Sequence, residues 1–310
     1  MVAVGGLICA VTTDFWILIG ARFFQGIFIP ALTTCLAAHL AKTLPTERLN
    51  VVMGAYVSAT VLGGLGGRLL GGLIHPPLHW RHAFVSASVL ILTATFIAMR
   101  GLPPSSADTR KQKDSIGFLA LIKRWELLRI YFCGAGSFAV FSSVFNYLPF
   151  RLDAPPFGFT TEQITLLYGV YVAGIFVGPA AGKISNRLGS GITLIGGSVL
   201  LGSSLALLLL PSIAAVVLAL FGICTGFFTV HSAAVGSLNR RLSSGQGRAN
   251  ALYVLFYYLG GWLGITCAGL VFKQGGWQAL IYFCASFLLI PLSIGNSERK
   301  SNHSRDYRNS

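Results

Sequence analysis

The sequence predicts an all-α polytopic membrane protein, and three observations carry that prediction. Of 310 residues 54% are apolar and 10% charged, with a mean hydropathy of +0.71, whereas soluble domains are about a quarter charged. Apolar runs of helical length recur along the whole chain. The basic residues gather in alternate connections between those runs, as they do when helices thread a bilayer. Such a composition excludes a soluble enzyme, a secreted disulfide scaffold and a disordered tail.

A bilayer core takes about 20 apolar residues per helix. Cutting the chain at charges, prolines and turn residues then gives ten spans, approximately 1–13, 15–39, 51–74, 80–99, 127–150, 163–181, 191–210, 212–235, 249–272 and 277–295. The first is short, because 13 residues rising 1.5 Å each cross only ~20 Å of a ~30 Å core. It lacks the basic n-region of a signal peptide and reads as the remainder of a longer helix. Residues 1–100 thus form a group of four spans. The polar stretch 101–126, which opens LPPSSADTRKQKDS, is expected to be a cytoplasmic linker. Six spans follow within 127–296, and the tail 297–310, polar and without apolar period, is expected to be disordered.

Orientation follows from the cations. Of 23 Lys and Arg, Arg22 and Arg68 fall within spans and Arg81, Arg151 and Lys273 on one side, which leaves 18 on the other. The side with 18, including the C-terminus, is expected in the cytoplasm. Trp16, Trp80, Trp125 and Trp277 stand at span ends, where indole favours the headgroup layer. The net charge of +14 therefore calls for a lipid bilayer as partner and not nucleic acid. Cys9, Cys35, Cys133, Cys224, Cys267 and Cys284 lie singly in apolar runs without metal-ligand spacing, so they read as packing residues; no metal or cofactor is expected.

The two groups of spans repeat each other. Gly26 matches Gly226 and Arg48 matches Arg248 at a separation of 200; Leu62-Gly63-Gly64 matches Leu259-Gly260-Gly261, Gly72-Leu73 matches Gly269-Leu270, and Trp80 matches Trp277, all at 197. Matched spans run in the same direction, as in parallel-repeat transporters. Counterparts of roughly 127–190 are absent from the first group, so two helices and a loop are expected ahead of Met1.

These residues resemble the major facilitator superfamily. Arg22-Phe-Phe-Gln25-Gly26 with Pro30 is similar to its fourth-helix motif, and Gly182-Lys-Ile-Ser-Asn186-Arg187-Leu-Gly189 to its loop motif G-x-L-x-D-R-x-G. Trp80-Arg81 resembles the opening of its sixth helix. The stretches 62–71, 231–234, 245–253 and 257–261 look similar to an efflux-type inner-membrane member. In two places the chain departs from the pattern: Asn186 replaces the motif Asp, and Gly66-Gly67-Arg68 stands where many antiporters have Gly-Pro. The resemblance implies a two-lobe fold of twelve helices, here N-terminally truncated to four plus six. It further implies a multi-pass protein of the cell inner membrane that works by alternating access and exports a small organic molecule in exchange for protons. An inactive truncated transporter or assembly partner is the alternative, and an integral-membrane enzyme on lipid-linked substrates a weaker one, since no loop pairs an acid with a His or second acid.

The candidate substrate and coupling path is Arg22, Gln25, Arg68, Asn146, Tyr147, His231, Tyr257 and Trp262, and the candidate gate loop Gly182, Asn186, Arg187 and Gly189. An Arg at mid-membrane costs about 2.5–3.5 kcal/mol, so Arg22 and Arg68 serve function or snorkel to the headgroups. No Asp or Glu lies inside a span; either a carboxylate of the preceding helices pairs with these arginines or an anionic substrate does. His231 is a titratable group or a hydrogen-bonded packing residue. Asn146, Tyr147, Tyr257 and Trp262 line a cavity or pack between helices, with Tyr257 and Trp262 the preferred pair. Asn186 and Arg187 form a gate contact, by resemblance, or a solvated loop. The glycines of 63–72 and 260–269 read as close helix contacts.

Overall fold

The computed structural model describes residues 1–43, 46–75, 77–101, 116–242 and 245–309, with side chains except at 31, 33–58 and 300–309. The linker residues 102–115 and the side chains of Cys35 and Arg48 lie outside this set. In chain order the helices are α1 (Val2–Val11), α2 (Phe15–Thr43), α3 (Thr46–Ile74), α4 (Arg81–Gly101), α5 (Phe118–Lys123), α6 (Trp125–Asp153), α7 (Thr161–Leu167), α8 (Val172–Leu188), α9 (Ser190–Leu207), α10 (Ile213–Arg240), α11 (Gln246–Phe287) and α12 (Leu289–Asn309). Among the described residues six helices are long and apolar enough to cross a membrane; Val2–Val11, Phe15–Pro30 and Ala59–Ile74 are shorter apolar stretches at the first three expected spans.

Two compact units form. Residues up to the linker join Thr161–Gly169 in the first, and the remainder makes the second. In the first unit Asp14 caps α2, its Oδ1 accepting from the Trp16 and Ile17 amides at 2.8 and 2.9 Å, which satisfies two amides the helix cannot bond itself. α1 lies so close to its neighbours that a Cβ on Gly5 would sit 2.6 Å from Gln25, and one on Gly6 would strike Ser88. Gly72 of α3 likewise receives Thr165 of α7.

In the second unit, α11 presents Gly260, Gly261 and Gly264 to α6; a Cβ on Gly260 would lie 2.4 Å from the Ala135 oxygen, and one on Gly264 2.7 Å from Ala139 Cβ. The crossing of α9 on α10 is as close, since a Cβ on Gly226 would lie 2.7 Å from the Gly197 oxygen. Without a hydrophobic force between helices in lipid, such close backbone approach supplies the packing energy. The repeat-related glycines of α3 behave differently: a Cβ on Gly63, Gly64 or Gly67 meets no described atom within 4 Å.

Four expectations need correction. The tail is helical to Asn309, because Glu298 anchors α12 to two arginines of other helices. The linker ends in the helix α5, whose Leu121 is fully buried, so an apolar contact outweighs its charged flanks. The run 163–181 is interrupted by a 3₁₀ turn at Tyr168–Tyr171, and the last two runs join in α11, where Gly276 (φ 63°, ψ −156°) makes the break. Trp277 is buried, its Nε1 donating to the Leu208 carbonyl at 2.9 Å, so it serves packing instead of the interface. Cys9, Cys133, Cys224 and Cys284 are buried free thiols.

Candidate functional site

The first unit organises Arg22. Arg22 and Gln25 are three apart on α2 and so share a face. The guanidinium donates from Nη1 to Gln25 Oε1 at 2.8 Å, and Gln25 Nε2 donates to the Val2 carbonyl of α1 at 2.8 Å. Gln25 is 6% exposed, so it is a fixed bracket between the arginine and α1. The Arg22 guanidinium lies 5.6 Å from the Phe84 ring of α4, within cation–π range. Ser88, one turn on, ties α4 to α1 through the Ala3 carbonyl at 3.2 Å. Arg68 on α3 lies 5.5 Å from the Tyr168 ring and donates to its phenol. Both arginines thus have partners, and those named are neutral: an amide, a phenol and aromatic faces, which accept from or attract a guanidinium without cancelling its charge.

The second unit gathers His231 with the aromatic residues. Tyr253 and Tyr257, four apart on α11, share the face toward α10 and α6. His231 Nδ1 and Tyr253 Oη are hydrogen-bonded at 3.0 Å. The Tyr257 ring stacks on Phe138 of α6 at 3.8 Å and 14°, and lies 5.3 Å from the imidazole. Phe227 stacks on Phe141 at 4.2 Å and extends the same wall. Tyr253 reaches this position because Gly134 has no side chain: a Cβ there would sit 2.7 Å from its ring. The group offers flat apolar faces beside an imidazole and a phenol. Chemically, such ring faces can stack on a planar organic group, and an imidazole can hold or pass a proton.

Three expected residues stay outside it. Trp262 is 63% exposed; five positions from Tyr257, it points roughly 140° away around the helix. Asn146 spends its Nδ2 on the Ser142 carbonyl of its own helix at 2.7 Å. Tyr147 donates to the Ile265 carbonyl at 3.3 Å and lies over Gly269, fastening α6 to α11.

The expected gate loop is largely helical: Gly182–Leu188 form the last turns of α8, and Gly189, at φ 86° and ψ 154°, ends the helix in a conformation reserved for glycine. Asn186 accepts from Arg240 Nη1 at 3.2 Å, while Arg187 is exposed. Around this contact the structure assembles a charged network that sequence reasoning missed. Glu298, 3% exposed, pairs with Arg129 at 2.6 Å and with Arg241. Glu126 pairs with Arg124 at 2.5 Å and with Arg241 at 3.5 Å. The available signal was that acids are scarce: these two flank the apolar part of the unit. Among the described residues no three His, Cys, Asp or Glu side chains converge as metal ligands do.

The sequence profile of the Major Facilitator Superfamily matches residues 1–241 and, in a second match, 156–304. The chain belongs to that superfamily. Among facilitators, it is 28% identical over 310 residues to the MFS-type transporter YybF of Bacillus subtilis (strain 168), covering 98% of this chain and 76% of the relative. It is 24% identical to the inner membrane transport protein YnfM of Escherichia coli (strain K12), covering 91% and 69%. In fold it is similar to the human organic anion transporter MFSD10, with a TM-score of 0.71 at 17% identity, over 95% of this chain and 74% of that one. A bacterial homologue of the human lysosomal transporter Spinster, inward-facing and unoccupied, gives 0.69 at 14%, over 95% and 80%. The resemblance read from the Arg22–Gly26 and Gly182–Gly189 motifs is thereby shown, and the chain is a multi-pass membrane transporter of the facilitator family.

Proposed function

We propose that this facilitator exports a small organic anion in exchange for protons, by alternating access between lobes spanning 1–100 and 127–296, with a cytoplasmic C-terminus in the inner membrane. The observation that carries the reading is the Arg22–Gln25–Val2 bracket, in which a membrane-embedded guanidinium is held by a neutral amide. A positive charge kept at that depth costs energy, and an anionic substrate offsets the cost when it binds. The Tyr257–Phe138 stack beside His231 suits the organic part of such a substrate. With no Asp or Glu in the predicted spans, His231, bonded to Tyr253, is the candidate to carry the coupled proton. Arg68 belongs to the path in a supporting capacity, and Gly182, Asn186, Arg187 and Gly189 to the inner gate. The structurally similar MFSD10 is an organic anion transporter and YnfM an inner membrane transport protein, which agrees with this proposal.

The test is efflux of a panel of fluorescent organic anions from preloaded cells that express the chain, Arg22→Ala or Arg22→Lys at equal membrane abundance. Loss of export in Arg22→Ala with partial activity in Arg22→Lys is expected, since lysine keeps the charge and loses the planar fork. Undiminished export in Arg22→Ala contradicts the proposal and leaves a snorkelling arginine.

A further inference from the structure

At the end of the second unit where α6 begins and α10 stops lies a cavity of about 670 Å³, which the cation count places on the cytoplasmic side. Its charges do not balance. Glu126 is shared between Arg124 and Arg241, and Glu298 between Arg241 and Arg129, so two carboxylates are committed to three guanidinia. Arg240, also on the wall, has no carboxylate within ion-pair distance among the described residues. Its guanidinium donates instead to Asn186 Oδ1 at 3.2 Å, Ser185 Oγ at 3.4 Å and Ser190 Oγ.

The two serines are 3.3 Å apart. One hydroxyl proton is used between them, and the second hydroxyl keeps a proton of its own to donate. Ser190 also opens α9, an 18-residue helix whose first turn takes no side-chain cap, and Gly189 before it leaves the approach clear of a Cβ. A surplus of positive charge, a planar guanidinium fork and two serine hydroxyls therefore converge on one polar cavity. These are the groups that recognise a tetrahedral oxyanion.

We propose that this cavity binds a phosphate group through Arg240, Ser185 and Ser190, as the phosphodiester of an anionic lipid or as free phosphate. The site adjoins the proposed inner-gate residues Asn186 and Gly189, and its binding chemistry does not depend on the substrate proposed above. Bound phosphate would supply the counter-charge Arg240 lacks and fix the α8–α9 turn against α10, an interaction a neutral Asn186 makes without charge.

The experiment uses the whole chain in mild detergent and in phosphatidylcholine vesicles with or without phosphatidylglycerol. Thermal unfolding is followed against added inorganic phosphate, and lipid retention is read by native mass spectrometry. Binding of either source, weakened about tenfold or more by Arg240→Ala, the size of one charge-assisted hydrogen bond, is the expected result. Phosphate acting in detergent alone identifies the free anion, and retained phosphatidylglycerol identifies the lipid. If Arg240→Ala does not fold, Ser190→Ala removes a single donor and should weaken binding in the same assay. The exposed Lys183 of α8, three residues before Asn186, is the control. Equal weakening by Lys183→Ala means diffuse attraction of anions to a basic surface and overturns the proposal, as does the absence of any binding.

Discussion

His231 on α10 and Tyr253 on α11 are joined by a 3.0 Å hydrogen bond, and eight residues further along α10 Asn239 meets Asn250 of α11 through reciprocal amide bonds of 3.3 and 2.8 Å. Neutral polar pairs therefore hold these two helices in register. Removing such groups from water costs less than burying an ion pair. Replacing Tyr253 by Phe keeps the ring against Gly134 and deletes the bond to Nδ1. Under the proposed coupling, Tyr253→Phe is expected to fold and insert normally while slowing proton-linked flux by about tenfold, in line with a lost hydrogen bond of ~1 kcal/mol or more. Flux measurements in vesicles, compared with membrane abundance, check it.

Converting Gln25 to Glu is the sharpest test of the charge on Arg22. The carboxylate is nearly isosteric and still accepts from Nη1, so the bracket survives on the arginine side while the net charge becomes zero. Apparent affinity for an anionic substrate should fall by about tenfold or more, with maximal flux less affected. Unchanged affinity would assign Arg22 a purely structural role.

The repeat-related glycines predict opposite stability effects. Gly264→Ala places a methyl 2.7 Å from Ala139 Cβ and should cost about 1–3 kcal/mol by overpacking. Gly67→Ala, 197 residues earlier, meets no described atom within 4 Å. There alanine should be neutral or stabilise α3 by up to ~1 kcal/mol through helix propensity. Unfolding temperatures of the two purified variants in mild detergent decide the matter.

Glu298→Gln leaves Arg129 and Arg241 facing each other across a site with a nearly buried centre. The side chains of the two arginines are 17% and 21% exposed, so solvent screens part of the repulsion. A loss of roughly 2–3 kcal/mol is expected, below the 3–5 kcal/mol of a fully buried broken pair. Glu126→Gln, at a side chain 45% exposed, should cost much less. Thermal unfolding and protease sensitivity of α12 provide the readout.

The helices and the family were legible in the sequence because they rest on local periodicity and on motifs whose members are close in the chain. Arg22 and Gln25 were brought together by the fourth-helix motif that the stretch Arg22–Gly26 resembles. The contact of Glu298 with Arg241 spans 57 residues and no local pattern announces it, which is why the helical tail was read as disordered. Trp262 was grouped with Tyr257 on depth alone, whereas helical phase separates them. Gly63 and Gly264 looked alike as sequence, and only the presence of α6 against one of them distinguishes a packed glycine from an open one.

Proton-coupled export is measured most directly in inside-out membrane vesicles that contain the chain and are acidified by respiration, with a fluorescent amine reporting the gradient. Organic anions are added one at a time, and the same vesicles carrying Arg22→Ala serve as comparison. Exchange of internal protons for an external substrate restores the fluorescence, and at least one organic anion is expected to do so with the unaltered chain and not with Arg22→Ala. A full panel that leaves the gradient intact, with the chain present and folded in the membrane, contradicts proton-coupled export of organic anions.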